Sequence, residues 1–207
     1  MVLLFIVGMR NIGREKMSNK TMQKNLLITG KPRTGKTTLV VNVIRRLDLP
    51  FCGFYTSELL KNGNRVGFVI NNLRGERGIF AYVDSESDIR VSRYGVELDV
   101  LEAVGVSEVE RCSRDHEPKI IVIDEIGKME LFSEPFKQSV LRSLNSPFPV
   151  LATVMGRGDE WVAENVLSRE DIKLFMINVN NRKQIEDKIV RILPGIFREI
   201  EQNLKVI

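Results

Sequence analysis

The sequence predicts an α/β domain of three layers, with helices on both faces of a mostly parallel sheet. Continuous apolar runs of β type occur at 26–29, 120–123, 149–154 and 173–179. Helical stretches separate these runs, and unbroken apolar runs are typical of strands buried on both faces. A glycine-rich loop follows the first run. A strand, a loop and a helix in this order, within an alternating chain, predict this fold class.

The loop after the first run matches the phosphate-binding pattern G-x-x-x-x-G-K-[ST], with the residues Gly30, Lys31, Pro32, Arg33, Thr34, Gly35, Lys36 and Thr37. Its glycines let several backbone N–H groups point at one anion, and the following helix adds its positive end. Lys36 is placed to reach the β- and γ-phosphates, and Thr37 offers a hydroxyl to Mg²⁺. The alternative is an ordinary glycine turn with an exposed lysine. We predict a site for a nucleoside triphosphate, with Mg²⁺ as its cofactor.

The apolar run at 120–123 ends in two acids, Asp124 and Glu125. Open α/β sheets bind ligands at the carboxyl ends of their strands. Asp124 is therefore expected to bind Mg²⁺ through water, and Glu125 to orient and deprotonate the attacking water. The alternative is a strand end that simply reaches solvent.

Residues 51–83 interrupt the alternation of strands and helices. Asn62-Gly63 lies between β-rich runs, which is a strong hairpin signal, and a second turn precedes 79–83. We predict an antiparallel β-meander inserted into the sheet. It would cover the nucleotide, hold a partner or serve only as packing.

Three helices are expected between and after the later strands. Ser133 is placed to cap a helix that ends near Leu144, and a second helix is expected over 159–167. A third is expected over 182–193, ended by Pro194-Gly195.

The chain has 207 residues, enough for one sizeable core. We assign residues 22–207 to a single domain, with 51–83 as its β-insert, and residues 1–21 to an N-terminal extension. The formal net charge is +4 and the sequence pI is about 9.1. This balance suits polyanionic ligands, and a nucleotide alone explains it, so RNA is not required.

Cysteine and histidine usage excludes several classes of site. Cys52 and Cys112 are the only cysteines, and neither belongs to a C-x-x-C pair. We therefore expect no zinc site and two reduced thiols in a cytoplasmic protein. His116 is the only histidine, which excludes histidine-based triads and multi-histidine metal sites.

The N-terminal segment begins with an apolar run, residues 1–8, that is too short to span a bilayer. Its basic residues follow the apolar run, whereas a secretory signal has the reverse order. The segment is an accessory strand or docking segment, a weak interfacial anchor, or the product of a start assigned too early. We favour the last, with the natural start at Met17 or Met22.

The ten residues from Asp124 to Ser133 resemble the signature of the small P-loop nucleoside-triphosphatase family first described from thermophiles, which includes the cancer-related nucleoside-triphosphatase of animals. The resemblance covers about 25–190. Other segments that resemble the family are Gly53–Thr56 with Glu58, Arg65–Phe68, Ser92–Val96 and Asn181-Arg182.

The resemblance implies a RecA-like fold and Mg²⁺-dependent hydrolysis of nucleoside 5′-triphosphates to diphosphate and phosphate, with broad base tolerance. It implies that the loop from Gly30 to Thr37 cradles the phosphates. A second nucleotide-contacting segment would comprise Ile121, Val122, Ile123, Asp124, Glu125, Ile126, Gly127 and Lys128. The chain departs from the family at Arg33, where the loop usually has a glycine that permits more backbone angles.

Several polar residues have two interpretations each. Lys128 would act as a catalytic cation toward the γ-phosphoryl group, or pair with Glu130 at the surface. Thr153 is a sensor of phosphate or water, or a buried hydroxyl bonded to backbone. Arg157 and Arg182 contact phosphate or base, or are solvated.

Two other functions fit a phosphate-binding loop. One is a kinase for a nucleotide or another small molecule. The sequence shows no arginine-rich lid, and the β-insert is where an acceptor pocket would lie. The other is a nucleotide-dependent RNA-binding or switch module, which the basic pI favours weakly and which lacks an RNA-binding signature. We expect a monomer, because a self-contained site permits one. An arginine supplied in trans would instead require an assembly.

Overall fold

The computed structural model describes residues 21–156 and 158–205, so the expectations for residues 1–20 and for Arg157 lie outside it. The strands are β1 (Asn25–Thr29), β2 (Phe51–Lys61), β3 (Asn64–Asn72), β4 (Arg77–Tyr82), β5 (Arg90–Val91), β6 (Tyr94–Val96), β7 (Ile120–Ile126), β8 (Val150–Val154) and β9 (Ile172–Met176). The α-helices are α1 (Lys36–Arg46), α2 (Leu98–Val100), α3 (Ser107–Ser113), α4 (Glu134–Asn145), α5 (Glu160–Val162) and α6 (Arg182–Leu204). Short π-helical turns, Leu101–Val106 and Ala163–Leu167, follow α2 and α5, and a 3₁₀ turn spans Glu130–Phe132.

All nine strands form one sheet in the order β5-β6-β4-β3-β2-β7-β8-β1-β9. The five strands β2, β7, β8, β1 and β9 are parallel. Only β8 separates β1, which leads into the glycine-rich loop, from β7, which carries the two acids. Because these strands are parallel, the loop and the acids lie at the same edge of the sheet.

The predicted meander is continuous with the central sheet. Phe51–Phe54, the first part of β2, pairs in parallel with β7, and the later part of β2 pairs antiparallel with β3. The β2–β3 turn is formed by Asn62 and Gly63, with φ of 51° and 75°. These left-handed values are those that a two-residue hairpin turn requires, which explains the Asn-Gly pair. Two further short strands carry the extension to Val96.

Helices cover both faces of the parallel half, which gives the predicted three layers. Neighbouring residues of β1 enter two separate apolar clusters: Leu26 packs on one face and Leu27 on the other. The cluster that contains Leu26 also contains buried residues of α1 and α6. The cluster that contains Leu27 also contains buried residues of α3 and α4. Continuous apolar strands are needed here because each strand is buried on both sides.

The prediction that the last helix ends at Pro194 is wrong. Helix α6 continues through this proline to Leu204. A proline removes one helical N–H and usually breaks the helix. Here Leu193, Phe197 and Ile200 are all buried and keep the helical spacing on both sides of the proline. Burial of this apolar face stabilises the part of the helix after the proline and offsets the loss of one helical hydrogen bond.

The other two predicted helices are confirmed. Ser133 caps α4, and its hydroxyl accepts a hydrogen bond of 3.1 Å from the N–H of Phe136. Asp159 caps the helical turns from Glu160 to Leu167 in the same way, through the N–H of Val162.

Cys52 and Cys112, which we expected to be reduced thiols, are joined as a disulfide between β2 and α3, with Cα atoms 6.1 Å apart. The sequence separation of 60 residues gives no sign of this contact, because it depends on α3 packing against the sheet. In the described part of the chain, no helix has the length and apolarity needed to cross a membrane.

Candidate active site

The glycine-rich loop joins β1 to α1 and has an unusual backbone. Gly35 has φ of 87° and forms the N-cap of α1, and Arg33 has φ of 64°. Both values lie in the left-handed region that favours glycine. The value at Arg33 explains why a glycine suits this position, and shows that an arginine can also adopt the required turn. A Cβ atom at Gly35 would lie 2.2 Å from Nη1 of Arg182, so a larger residue here would displace that side chain and would also strain the backbone.

The N-terminus of α1 is suited to bind an anion. Its N-cap makes no side-chain hydrogen bond, and its first turn contains no acidic residue. The first N–H groups of a helix have no partner within the helix, and they carry a partial positive charge. A phosphate group is therefore a suitable partner for them.

Lys36 lies between the loop and the acidic strand end. Its side chain is 10% exposed, and its Nζ donates a hydrogen bond of 3.4 Å to the carbonyl of Gly30. The same atom lies 3.6 Å from a carboxylate oxygen of Glu125. The structure thus brings together two of the three predicted catalytic residues, Lys36 and Glu125.

Asp124 is completely buried at the end of β7. Its carboxylate accepts hydrogen bonds from the hydroxyl of Thr153, at 2.6 Å, and from the N–H of Thr56, at 3.3 Å. Burial raises the pKa of Asp124, while the bonds from Thr153, Thr37 and Thr56 act in the opposite direction. A fully buried carboxylate beside the loop is a site where a bound cation would offset the cost of burial.

Glu125 is the acid that reaches the cleft. Its side chain is 30% exposed and lines the same cavity as the loop. Burial raises the pKa of Glu125, the charge of Lys36 lowers it, and the neighbouring Asp124 raises it again.

Thr153 and Thr56 donate the hydrogen bonds to Asp124, and the sequence alone did not predict either contact. Thr153 lies on β8 and bonds to the Asp124 side chain, whereas we considered a sensor or a hydroxyl bonded to backbone. Thr56 contributes only a backbone N–H from β2, so no sequence motif marks it. The pairing of β2, β7 and β8 is what places both donors around Asp124.

Lys128 is separate from the other predicted catalytic residues. Its side chain is exposed, and it does not line the cleft. The expected alternative, an ion pair with Glu130, is also absent from the described residues, since Glu130 is buried. Burial is the main reason that the pKa of Glu130 rises to about 8, and the charge of Glu125 adds to the increase.

The remaining predicted contact residues divide into cleft and core. Five loop residues line the cleft: Pro32, Arg33, Gly35, Lys36 and Thr37. Thr34 instead stabilises the loop, since its hydroxyl donates a 2.8 Å hydrogen bond to the carbonyl of Lys31. Four residues of the second segment are fully buried in the sheet: Ile121, Val122, Ile123 and Ile126. Their side chains hold the strand that positions Asp124 and Glu125.

The cleft has a volume of about 1100 Å³. The phosphate loop and one flank of α1 form one side, and Arg182 lies beside them. The other side is formed by β2, β3 and the loop before β6, with Tyr55, Glu58, Arg65, Phe68 and Arg93 among its lining residues. The meander is therefore a wall of the cleft.

Arg182 is a cleft residue whose role the sequence left open. It is the first residue of α6, half-buried, with its guanidinium against the backbone of Gly35. The first turn of α6 contains no acid, and Arg182 has no carboxylate within ion-pair distance in the described part of the chain. A cation placed at the positive ends of α1 and α6 is favourable when an anion lies between them.

Comparison with known proteins gives one consistent result. The model of a protein family described as NTPase matches residues 25–190. The nucleoside-triphosphatase THEP1 of Thermotoga sp. strain RQ2 is 41% identical over 168 residues, covering 81% of this chain and 94% of the relative. The human cancer-related nucleoside-triphosphatase is 35% identical over 182 residues, covering 82% and 96%.

Solved structures give the same result for the fold. The crystal structure of THEP1 from Aquifex aeolicus matches with a TM-score of 0.74 and 33% sequence identity, covering 82% of this chain and 98% of that chain. The solution structure of the human protein matches with a TM-score of 0.72 and 32% identity, covering 83% and 98%. The predicted α/β P-loop fold is confirmed, and the chain belongs to the NTPase family of which the THEP1 nucleoside-triphosphatases are members.

Proposed function

We propose that this protein hydrolyses nucleoside 5′-triphosphates to the diphosphate and phosphate, with Mg²⁺ and with tolerance for several bases. One observation carries the proposal: Lys36 of the phosphate loop and Glu125 lie 3.6 Å apart, and Glu125 directly follows the buried Asp124 in the chain. The family supports it, because the relatives are named for nucleoside triphosphates in general and for no single base.

The proposed cofactor fits the residues that are present. The hydroxyl of Thr37, at the start of α1, and the carboxylate of Asp124, at the end of β7, are hard oxygen donors within hydrogen-bond reach of each other. Mg²⁺ commonly uses one or two protein oxygens together with substrate phosphates and water. When bound, the ion would neutralise negative charge on the phosphate oxygens.

Each of the other residues has a role in an in-line attack of water on the γ-phosphorus. The amides of the loop and of the α1 N-terminus bind the phosphate oxygens, and Lys36 neutralises charge on the transferred group. Glu125 accepts a hydrogen bond from the attacking water, orients it, and takes its proton as the new P–O bond forms and the bond from the γ-phosphorus to the leaving diphosphate breaks. Positioning supplies most of the rate enhancement, because this transfer needs little covalent chemistry from the protein.

We assign Arg182 to the phosphate chain. The guanidinium lies against Gly35, next to the loop, and has five N–H donors for oxygen acceptors. Since Arg182 belongs to the same chain, the site contains a cationic arginine without a second subunit. This arrangement supports activity as a monomer.

The experiment that tests the proposal is phosphate release from ATP, GTP, CTP and UTP, with Mg²⁺ and with EDTA. We expect Mg²⁺-dependent release of phosphate from several of the four, with the nucleoside diphosphate as the other product. Release of pyrophosphate, or binding of nucleotide without any release, would contradict the proposal. The second result would favour a kinase that awaits an acceptor.

A further inference from the structure

The wall of the cleft formed by the meander carries two arginines that the hydrolysis of a nucleotide does not require. We propose that Arg65 and Arg93 form a second binding site, specific for a phosphate-bearing small molecule that occupies the cleft together with the nucleotide. This site lies on the wall of the cleft formed by the meander, and the phosphate loop lines the same cleft.

The two guanidinium groups converge on one hydroxyl. Nε of Arg65 and Nη2 of Arg93 each donate a hydrogen bond of 3.1 Å to Oη of the buried Tyr94. Arg65 also stacks over the ring of Phe68, with Cζ 5.0 Å from its centroid, and Arg93 lies over the ring of Tyr94 at 5.2 Å. These contacts fix the orientation of both side chains, which are otherwise costly to immobilise.

The charges at this wall are not balanced. Glu58 pairs with Arg65 at 2.8 Å, and it is the only carboxylate within ion-pair distance of either arginine in the described residues. Two cations held against one neutral hydroxyl repel each other. An anion bound between them would remove this repulsion and use donors of both guanidinium groups.

The arginine pair lies too far along the sheet to be a simple continuation of the metal site. Thr56, whose N–H bonds Asp124, and Leu60, which pairs with Arg65, are four residues apart on β2. Four residues of a strand span ~13 Å. The cleft volume of about 1100 Å³ also exceeds the ~300–1,000 Å³ of ordinary ligand pockets. There is room for a second ligand beside the nucleotide.

The surroundings specify the class of ligand. A guanidinium pair matches the oxygens of a phosphate group, which accept two parallel hydrogen bonds from one arginine. Free phosphate and a phosphate monoester share this chemistry. Tyr55, which lines the same wall, has an aromatic ring that would pack against the organic part of a monoester. The position within a cleft favours a small molecule over a polymer.

The test is a binding measurement that needs no hydrolysis, so its result is independent of the proposed activity. The protein is first saturated with Mg²⁺ and the β,γ-imido analogue of ATP, which fills the phosphate loop. Inorganic phosphate is then titrated by isothermal calorimetry, and AMP is titrated in a parallel experiment. The variants are Arg65→Gln, Arg93→Gln and, as the matched control on the same meander, Arg77→Gln, which is exposed and does not line the cleft.

We expect one additional ligand per chain, bound at least tenfold more weakly by Arg93→Gln and by Arg65→Gln and unchanged in Arg77→Gln. Arg93 is exposed, so its replacement is the variant that leaves the fold intact. Tighter binding of AMP than of phosphate identifies a monoester as the ligand, and equal binding identifies free phosphate. The proposal is overturned if neither probe binds the analogue-filled protein, or if both arginine variants bind as the wild type does.

Discussion

Thr153 illustrates how much one buried side chain contributes to this site. Its hydroxyl donates to Asp124 at 2.6 Å, and both groups are inaccessible to solvent. Without this hydrogen bond, the buried carboxylate of Asp124 would lose one donor. The loss would lower the stability of the folded protein by about 1–3 kcal/mol. Asp124 is therefore held by its neighbours on β2 and β8 before any ligand binds.

Arg182 is the residue whose proposed contact with phosphate is most easily separated from catalysis. We expect Arg182→Gln to raise KM for ATP roughly 10- to 100-fold, because it removes a charge-assisted contact with phosphate of about 1.5–3 kcal/mol. Steady-state phosphate release measures this change. Lys183→Gln is the matched control, since Lys183 is exposed and pairs with Glu186 and Asp187. Equal KM values in the two variants would remove Arg182 from the site.

Glu130 is a buried acid whose protonation is coupled to the stability of the folded protein. The folded protein raises its pKa from 4.5 to about 8. Between these pH values the folded state binds more protons than the unfolded state, so the free energy of unfolding falls as the pH rises. The side chain in Glu130→Gln mimics the protonated acid and does not titrate. We therefore expect the free energy of unfolding of this variant to lack the part of the decrease with pH that Glu130 causes, which is on the order of a few kcal/mol.

Urea unfolding of the wild type and of Glu130→Gln at pH 5, 6, 7 and 8 measures the effect, and the difference between the two proteins isolates Glu130 from other titrating groups. The stability advantage of the variant should grow with pH up to about pH 8. A difference that stays constant over this range would show that the burial of Glu130 does not favour its protonated form.

At the scale of elements, α6 shows that packing can outweigh a local helix-breaking signal. Phe197 follows Pro194 by three residues and is buried against the face formed by α1 and β1. We expect Phe197→Ala to destabilise the protein by about 3–5 kcal/mol, or to lower Tm by about 10 °C. The exposed neighbour in Glu199→Ala should change stability by less than about 0.5 kcal/mol. Similar thermal unfolding of both variants would mean that the helix beyond the proline does not pack.

Elements that depend on local chemistry could be predicted from the sequence, and elements that depend on distant packing could not. The parallel strands have continuous apolar runs, and the turn at Asn62-Gly63 and the cap at Ser133 have chemistry that local geometry demands. The end of α6 and the contact between Cys52 and Cys112 depend on distant packing. No local pattern contains that information.

At the scale of the whole molecule, the motif residues of the site were predictable because their spacing is dictated by one ligand. The loop from Gly30 to Thr37 and the acids after β7 must meet at one edge of a parallel sheet, and they do. The rest of the cleft was predictable only in part. Arg182 was a candidate contact for phosphate or base, and Arg65 and Arg93 lie in segments that resemble the family, but their meeting in one cleft depends on the folded sheet.

Sheet topology also assigns different functions to the two sides of the cleft. The parallel half supplies the phosphate loop and the acids, and the antiparallel half supplies the wall with the arginine pair. The proposed hydrolysis depends mainly on the first half, and the antiparallel half adds the N–H of Thr56 beside Asp124. Changes in the meander are expected to alter ligand selection more than the chemical step.

In the proposed mechanism, Glu125 activates water in a site that binds nucleotide through the loop. The most direct measurement compares phosphate release and analogue binding by the wild type, by Glu125→Gln and by Glu134→Gln, an exposed control outside the cleft. We expect a loss of about 10²–10⁴-fold in kcat for Glu125→Gln with nucleotide affinity retained, and no loss for Glu134→Gln. Phosphate release by Glu125→Gln at the wild-type rate would rule out this role for Glu125.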